Sequence, residues 1–375
     1  MSDSSNLSNL SNLSNLSNMS EEKLSTNENH ITNEKHDTNE KHDTNEKHNT
    51  DKEEILLKEE LLLKEEPNRL TISPIRYTKI WEMYKLHESA MWHAHEVKLE
   101  KDKEHWKLLT DDEKHFIKMV LGFFASSDMI IGENLTSRFL NEVKILEAKF
   151  FYSFQLMMEN IHSEVYSNMI DAYITDEKEK QQLFYATQTI PCIKKKANWV
   201  QKWIESSGSF SERLVAFAIV EGVFFSASFC AIYWLAERGI MMGLTKGNDF
   251  IARDEGLHVE FACILYKDFI VNKLSQEKIV EIVSDAVSIE TEFITSALPC
   301  RLVGMNSAKM VTYIKYVANR LVMKLGHTEI YPNVEQPFDF MDRIALRNKS
   351  NFFEDTPSEY QKLEKNSKDD AYEDL

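Results

Sequence analysis

Cysteine, glycine and proline are all scarce in this chain. The four cysteines, Cys192, Cys230, Cys263 and Cys300, are widely spaced and form no CxxC pair. That argues against a disulfide framework or a zinc ribbon and fits a reducing, intracellular compartment. Ten glycines and seven prolines in 375 residues leave few turns, and no proline falls between Pro74 and Pro191 or between Pro191 and Pro299. Two breaker-free runs of that length exclude a fold of many short strands and predict long helices joined by short loops. Basic charge is also short. The 44 Lys and Arg face 61 Asp and Glu, a net charge of −17, so no nucleic-acid partner is expected, because binding phosphates needs basic surface. The N-terminus has no apolar h-region, so no signal peptide is expected.

Aromatic residues are missing from one part of the sequence altogether. All 40 lie beyond residue 66, and residues 1–66 carry 16 acids, seven lysines and no arginine. Within that segment Ser-Asn-Leu recurs four times from Ser5 to Leu16, and Thr-Asn-Glu-Lys-His three times from Thr32 to His48. Such polar repeats bury too little apolar area to offset the entropy of ordering, so residues 1–66 read as a disordered low-complexity extension. Histidines 30, 36, 42 and 48 fall at a period of six, which reads as a by-product of repeat expansion rather than a metal tract. Residues 53–66 read as weakly helical without a single apolar stripe. From residue 67 onward apolar residues recur at i, i+3, i+4 and i+7, and 67–354 reads as one all-α helical bundle.

One run within the bundle is long enough to span a bilayer. Leu214–Leu235 holds 22 residues with a single charge, Glu221. Its flanks show no Lys/Arg bias and no second comparable segment exists. The run therefore reads as the central helix of a large bundle, apolar all round, with no membrane partner.

The chemistry is carried by two repeated arrangements. Of twelve histidines only His162 and His258 stand three residues after a glutamate, Glu159 and Glu255. On a helix, positions i and i+3 share a face, so each pair aims a carboxylate and an imidazole at one point. Each pair also has an acid upstream in an apolar helix: Asp128 lies 31 residues before Glu159, and Glu221 lies 34 before Glu255. This is the inward-facing ligand plan of the ferritin-like di-iron carboxylate bundles. Four carboxylates in an apolar interior repel one another and are costly to desolvate. Two divalent ions cancel their charge, and oxygen ligands with two imidazoles suit iron or manganese better than zinc. Tyr166, four residues after His162, falls on the same helical face. From spacing alone it is either an ordinary core phenol or a redox-active one.

Longer stretches carry a resemblance. Ala125-Ser-Ser-Asp128, Glu147-Ala-Lys-Phe-Phe-Tyr152, Glu159-Asn-Ile-His-Ser-Glu-Val-Tyr166, Cys192-Ile-Lys-Lys-Lys-Ala197, Val220-Glu-Gly-Val-Phe-Phe-Ser226, Arg253-Asp-Glu-Gly-Leu-His258 and Pro337-Phe-Asp-Phe340 are similar to the radical-generating small subunit of eukaryotic class I ribonucleotide reductase, over about residues 68–360. The resemblance implies a di-iron centre bound by Asp128, Glu159, His162, Glu221, Glu255 and His258, with two iron ions per chain; manganese is the other candidate. It implies that Tyr166 holds a tyrosyl radical among the apolar residues Phe225, Phe229 and Ile251. Trp92 and Asp254 match the conduit from cluster to surface, and Tyr360 matches the tail tyrosine that relays oxidation onward. It further implies a cytoplasmic oxidoreductase subunit, a homodimer or a heterodimer with another small subunit. Such a subunit is active only with a large subunit that docks on the flexible tail, 355–375.

Two departures from that family stand out. His95-Glu-Val-Lys98 replaces an acidic stretch after the conduit tryptophan, and the chain ends Asp370-Ala-Tyr-Glu-Asp-Leu375 rather than in the usual family peptide. Two other readings therefore stay open: a diverged partner paralogue with little radical of its own, or another di-iron oxidase that shares only the ligand plan.

Overall fold

A computed structural model describes residues 58–66, 68–297 and 306–341, and among these there are thirteen α-helices and no strand. They run α1 (Thr78–Ser89), α2 (Asp102–Leu108), α3 (Asp111–Asn134), α4 (Leu140–Glu142) and α5 (Leu146–Tyr173). Next come α6 (Glu177–Phe184), α7 (Ala186–Thr189), α8 (Pro191–Ile204), α9 (Phe210–Ile219) and α10 (Ser226–Glu237). The last are α11 (Met242–Ile264), α12 (Gln276–Ala297) and α13 (Ser307–Lys324). The expected all-α bundle is the fold observed.

The helix starts follow from side chains able to satisfy free N–H groups. The Thr110 and Ser209 hydroxyls accept from the Glu113 and Glu212 amides at 3.2 Å, and each glutamate accepts in return from the backbone amide of its partner. These reciprocal bonds open α3 and α9. Asp176 and Asn306 cap α6 and α13, and Pro191 occupies the first turn of α8. Gly239, at a φ of 68° just after α10, supplies the left-handed turn that reverses the chain toward α11.

Three helices contain a π-helical turn, at Leu135–Phe139, Val220–Phe224 and Leu265–Phe269. Such turns insert a residue into the helical register and recur at functional sites. The second joins α9 to α10 and holds Glu221. The most apolar 18-residue stretch of the combined helix Phe210–Glu237 has a mean hydropathy of 2.1, and 94% of it is buried inside the protein. Its apolarity is thus that of a central core helix. Each fully buried Phe or Leu on it contributes about 2 kcal/mol of burial free energy. Contrary to the expectation of no second such segment, Asp111–Glu142 is also long and apolar enough to cross a membrane, because its apolar run is masked in the sequence by charged ends. Of its most apolar stretch, 61% is buried within the bundle.

The start of α11 is held in an unusual way. Asp102 on α2 is fully buried and accepts from the Gly243 amide at 2.9 Å, the Leu244 amide at 2.7 Å and the Tyr173 hydroxyl at 2.7 Å. A carboxylate on a helix N-terminus satisfies free N–H groups and favours the helix dipole. A Cβ at Gly243 would sit 2.3 Å from the Lys98 carbonyl, so only glycine permits this approach of α2 to α11.

The body begins before residue 67. Leu62 is fully buried, its carbonyl accepts from the Lys144 amide at 2.7 Å, and the Glu60 carboxylate accepts from the Val271 and Asn272 amides at 2.8 Å. Residues 58–66 are therefore fastened to the bundle, through a short 3-10 turn at Leu61–Leu63, and the low-complexity segment stops short of them. A buried leucine and a glutamate on backbone amides anchor them, a pattern that composition does not register. The repeats before residue 58 and the tail after residue 341 lie outside the described residues.

Candidate metal centre

Four helical segments deliver the ligands. Asp128 comes from α3, Glu159 and His162 from α5, Glu221 from the π turn after α9, and Glu255 and His258 from α11. All six side chains are 0–3% exposed. Their ligand atoms fall into two overlapping groups, Asp128–Glu159–His162 and Glu159–Glu221–Glu255–His258, with the atoms of each group within 4.8 Å of one another. Glu159 belongs to both and so bridges them. His162 Nδ1 lies 3.4 Å from Glu159 and 3.3 Å from Glu255. His258 Nδ1 lies 3.2 Å from Glu159, 3.6 Å from Glu221 and 3.3 Å from Glu255.

The chemistry of this set fits two cations. Asp128 Oδ2, both Glu159 oxygens, Glu221 Oε2 and His162 Nδ1 are buried atoms with no hydrogen-bond donor turned toward them, although orphaned buried acceptors are costly. They converge on one volume, and the cluster gathers positive charge wherever it can. Burial, reinforced by the neighbouring carboxylates, pushes Asp128 and Glu255 well above the usual carboxylate range. Burial acts against the charge of His258, but Glu159 and Glu221 outweigh it and raise that imidazole to about 10. Divalent ions supply the same compensation with more charge, and metal binding displaces such protons.

The surroundings orient the set. His162 Nε2 meets Asp254 Oδ2 at 3.1 Å, and Trp92 Nε1 donates to the same oxygen at 2.7 Å. A carboxylate behind a ligand imidazole fixes its tautomer and ring plane. The Trp92 ring lies nearly parallel to His162, centroids 5.9 Å apart and 19° between planes. Trp92 is buried, whereas His95 and Lys98 beside it are exposed, so the departures at those two positions alter surface charge and touch no ligand. Gln155 on α5 donates to Glu221 at 3.2 Å.

Tyr166 sits one helical turn beyond His162 and is 2% exposed. Burial raises its phenol well above the ordinary value, and the nearby Asp128, Glu255 and Glu159 add to that. The ring stacks on Phe124 at 4.6 Å between centroids, and Phe124 in turn meets Phe225 at 5.5 Å and Phe229 at 5.2 Å. Phe225 and Phe229 thus belong to the apolar wall around the phenol, and Ile251 is buried on α11. Tyr360 lies outside the described residues.

Sequence reasoning missed Phe124, which makes the direct stack, along with Gln155 and His87. Phe124 was signalled only by standing four residues before Asp128 in an apolar run. His87 stands on α1, with its Nε2 3.3 Å from His258 Nε2, and no motif marks it.

Comparison with known proteins agrees with this architecture. Residues 69–337 match the family model described as ribonucleotide reductase, small chain. The ribonucleoside-diphosphate reductase small chain of Trypanosoma brucei brucei is 56% identical over 296 residues, 79% of this sequence and 88% of that relative. The small chain of Vaccinia virus (strain Ankara) is 54% identical over 306 residues, 82% of this sequence and 95% of the viral one. Among solved structures, the ribonucleotide reductase Rnr4 homodimer of Saccharomyces cerevisiae superposes with a TM-score of 0.69 at 35% identity, covering 77% of this sequence and 92% of the yeast one. Matched by the family model along most of its helical body and more than half identical to those relatives, the chain belongs to the small-chain family of ribonucleotide reductase.

Proposed function

We propose that this chain is the radical-bearing small subunit of ribonucleoside-diphosphate reductase. Members of its family are oxidoreductases that work with a large subunit. Asp128, Glu159, His162, Glu221, Glu255 and His258 would hold two iron ions per chain, with manganese the alternative suited to the same donors. When bound, such ions with dioxygen supply one-electron oxidising power. The protein's part is to direct that power to one phenol and then outward.

Tyr166 would give up one electron to that oxidant and the Oη proton to a carboxylate of the centre, because a charged phenol would be poorly solvated in this dry wall. Asp128 is the charged group that acts on the phenol most strongly. Phe124, Phe225 and Phe229 exclude water and reductants from the oxidised ring. Asp254 holds the proton on His162 Nε2 and accepts from Trp92 Nε1 at the same time, so Trp92 is joined to the cluster by two hydrogen bonds. The observation that carries the reading is this unbroken sequence Trp92–Asp254–His162 ending on six converging ligands, with Tyr166 a turn away. A metal store or an oxidase acting on its own substrate would use the Asp254 carboxylate to orient His162 but has no need of the indole bonded beyond it.

The oxidising equivalent would then pass to the large subunit, an electron returning from that subunit to restore Tyr166. The large subunit docks on the tail 355–375, with Tyr360 as the relay. We place the chain in the cytoplasm, as a dimer of two small subunits, alike or different; the yeast neighbour is a homodimer. Iron-loaded protein exposed to oxygen should give the electron paramagnetic resonance of a neutral tyrosyl radical. Tyr166→Phe should keep the iron and lose that signal. A wild-type protein that binds its iron normally and never shows a radical would favour a partner paralogue instead.

A further inference from the structure

The two imidazole ligands are backed by different groups. Behind His162 stands a carboxylate, Asp254. Behind His258 stands another imidazole: His258 Nε2 faces His87 Nε2 at 3.3 Å, ring centroids 4.8 Å apart. His87 comes from α1, a helix that contributes no ligand, and is 0% exposed. Its ring is wedged against Phe151 and Phe154, at 5.1 and 4.8 Å between centroids, and its Nδ1 has no hydrogen-bond partner among the described residues. An imidazole so placed is costly as mere filler, since a leucine would fill the space without an orphaned nitrogen.

The proton positions follow from the geometry. His258 Nδ1 faces Glu159, Glu221 and Glu255, so Nδ1 is the nitrogen that offers its lone pair to a cation. A neutral imidazole then carries its proton on Nε2. That proton points at His87 Nε2, which must accept, leaving the His87 proton on Nδ1 among the phenylalanines. We propose that His87 is a positioning residue: it accepts the Nε2 proton of His258, fixes that ligand's tautomer and ring plane, and makes the two metal positions unlike. A carboxylate behind an imidazole makes it a stronger donor than a neutral ring does. The His162 and His258 positions therefore differ in the basicity of their nitrogen ligand as well as in their carboxylates.

This inference rests on the metal-binding reading, and one experiment separates the two. Full-length apoprotein is titrated with ferrous iron without oxygen, against a competing chelator. Wild type, His87→Leu and His87→Gln are compared. Two ions bound by wild type support the metal reading, and none would overturn it whatever His87 does. With two ions bound, His87→Leu should weaken one binding step about 10- to 100-fold and leave the other within about 2-fold. His87→Gln, whose amide oxygen can accept the same proton, should restore most of the loss. Equal affinities in all three proteins, or equal weakening of both steps by His87→Leu, would overturn the proposal. Should the leucine variant fail to fold, proton NMR of the diferrous wild type and of His87→Gln decides. Two exchangeable, hyperfine-shifted imidazole N–H resonances are expected, of which the glutamine moves one. Movement of both or of neither sinks the assignment.

Discussion

The ammonium of Lys196 lies 2.6 Å from Glu290 Oε2, with both side chains fully buried. Lys196 Nζ also donates to the Phe224 carbonyl at 2.7 Å and stands 3.4 Å from the centroid of the Phe123 ring. Phe224 ends the π turn that carries Glu221, so this ion pair ties α8 and α12 to the segment that presents a metal ligand. Removing one member leaves the other buried and unpaired, which costs about 3–5 kcal/mol, whereas replacing both by apolar residues is often close to neutral. Lys196→Met should therefore lower unfolding stability by about that amount, and Lys196→Met with Glu290→Leu should recover most of it. Urea denaturation of wild type, Lys196→Met, Glu290→Leu and the double variant gives the coupling directly. A double variant no better than the worse single one would show that the Phe224 contact, not the buried charge, is what matters.

The same pair fixes a pH dependence. Burial drives both groups toward neutrality, lowering Lys196 to about 8 and raising Glu290 to about 7, although each partner's charge opposes the shift. Folded Glu290 holds its proton more tightly than the unfolded chain does, so its contribution to stability is present at low pH and lost as pH rises to 7. Folded Lys196 holds its proton less tightly, so its contribution grows as pH rises above 8 toward the ordinary lysine value. The pair is least favourable between pH 7 and 8, where both groups are charged. The stability difference between wild type and the double variant, followed from pH 5 to 10, should turn most toward the variant in that window. A difference independent of pH would show that the pair does not titrate.

How much of this was legible in the residues depends on how local the information is. The ExxH pairs could be read because three residues on a helix bring two side chains to one face whatever the tertiary fold does. Asp128 and Glu221 could be read because an acid in an apolar helix needs compensation. Lys196 stands in a run of three lysines, which ordinarily signals solvent, and its partner lies on another helix. The π turn at Val220–Phe224 leaves no mark in composition or periodicity, because packing rather than propensity widens that turn. His87 was invisible for the same reason: one histidine on a mixed helix becomes meaningful only when α1 lies against α11. Residues 58–66 are acidic and lysine-rich like the segment before them, and what joins them to the body is a few long-range contacts. Among these are Leu62 in the core, Glu60 and Lys58 on Asn272, and Glu65 on Lys144.

Glu221 is the ligand on which the metal content depends most visibly. Its Oε2 has no donor turned toward it, and its Oε1 is held only by the Gln155 amide at 3.2 Å. Glu221→Ala removes a negative charge that no neighbour can replace. Bound metal should fall from two ions to one or none per chain, as elemental analysis of iron-loaded protein would show. Binding to wild type should also weaken as pH falls, beginning above the ordinary carboxylate range, because Asp128, Glu255 and His258 all hold their protons more tightly than usual. Unchanged metal content in the variant would remove Glu221 from the ligand set.

Trp92 separates making the radical from exporting it. Its indole N–H donates to Asp254, which keeps a second bond to His162 Nε2 and a third, at 3.4 Å, to Arg253. Trp92→Phe therefore leaves the carboxylate partnered and the His162 tautomer fixed. The lost indole bond and the acceptor freed by it should cost about 1–3 kcal/mol, well within the tolerance of a bundle this size. Iron content and the tyrosyl signal should survive in the variant, while nucleotide reduction with the large subunit falls to background. Asp254→Ala is the contrast, since it strips the acceptor from a ligand imidazole and should weaken metal binding about 10- to 100-fold as well. Full reduction by Trp92→Phe would mean that the oxidising equivalent leaves by another path, and the Trp92–Asp254–His162 sequence would then serve only to hold the ligand.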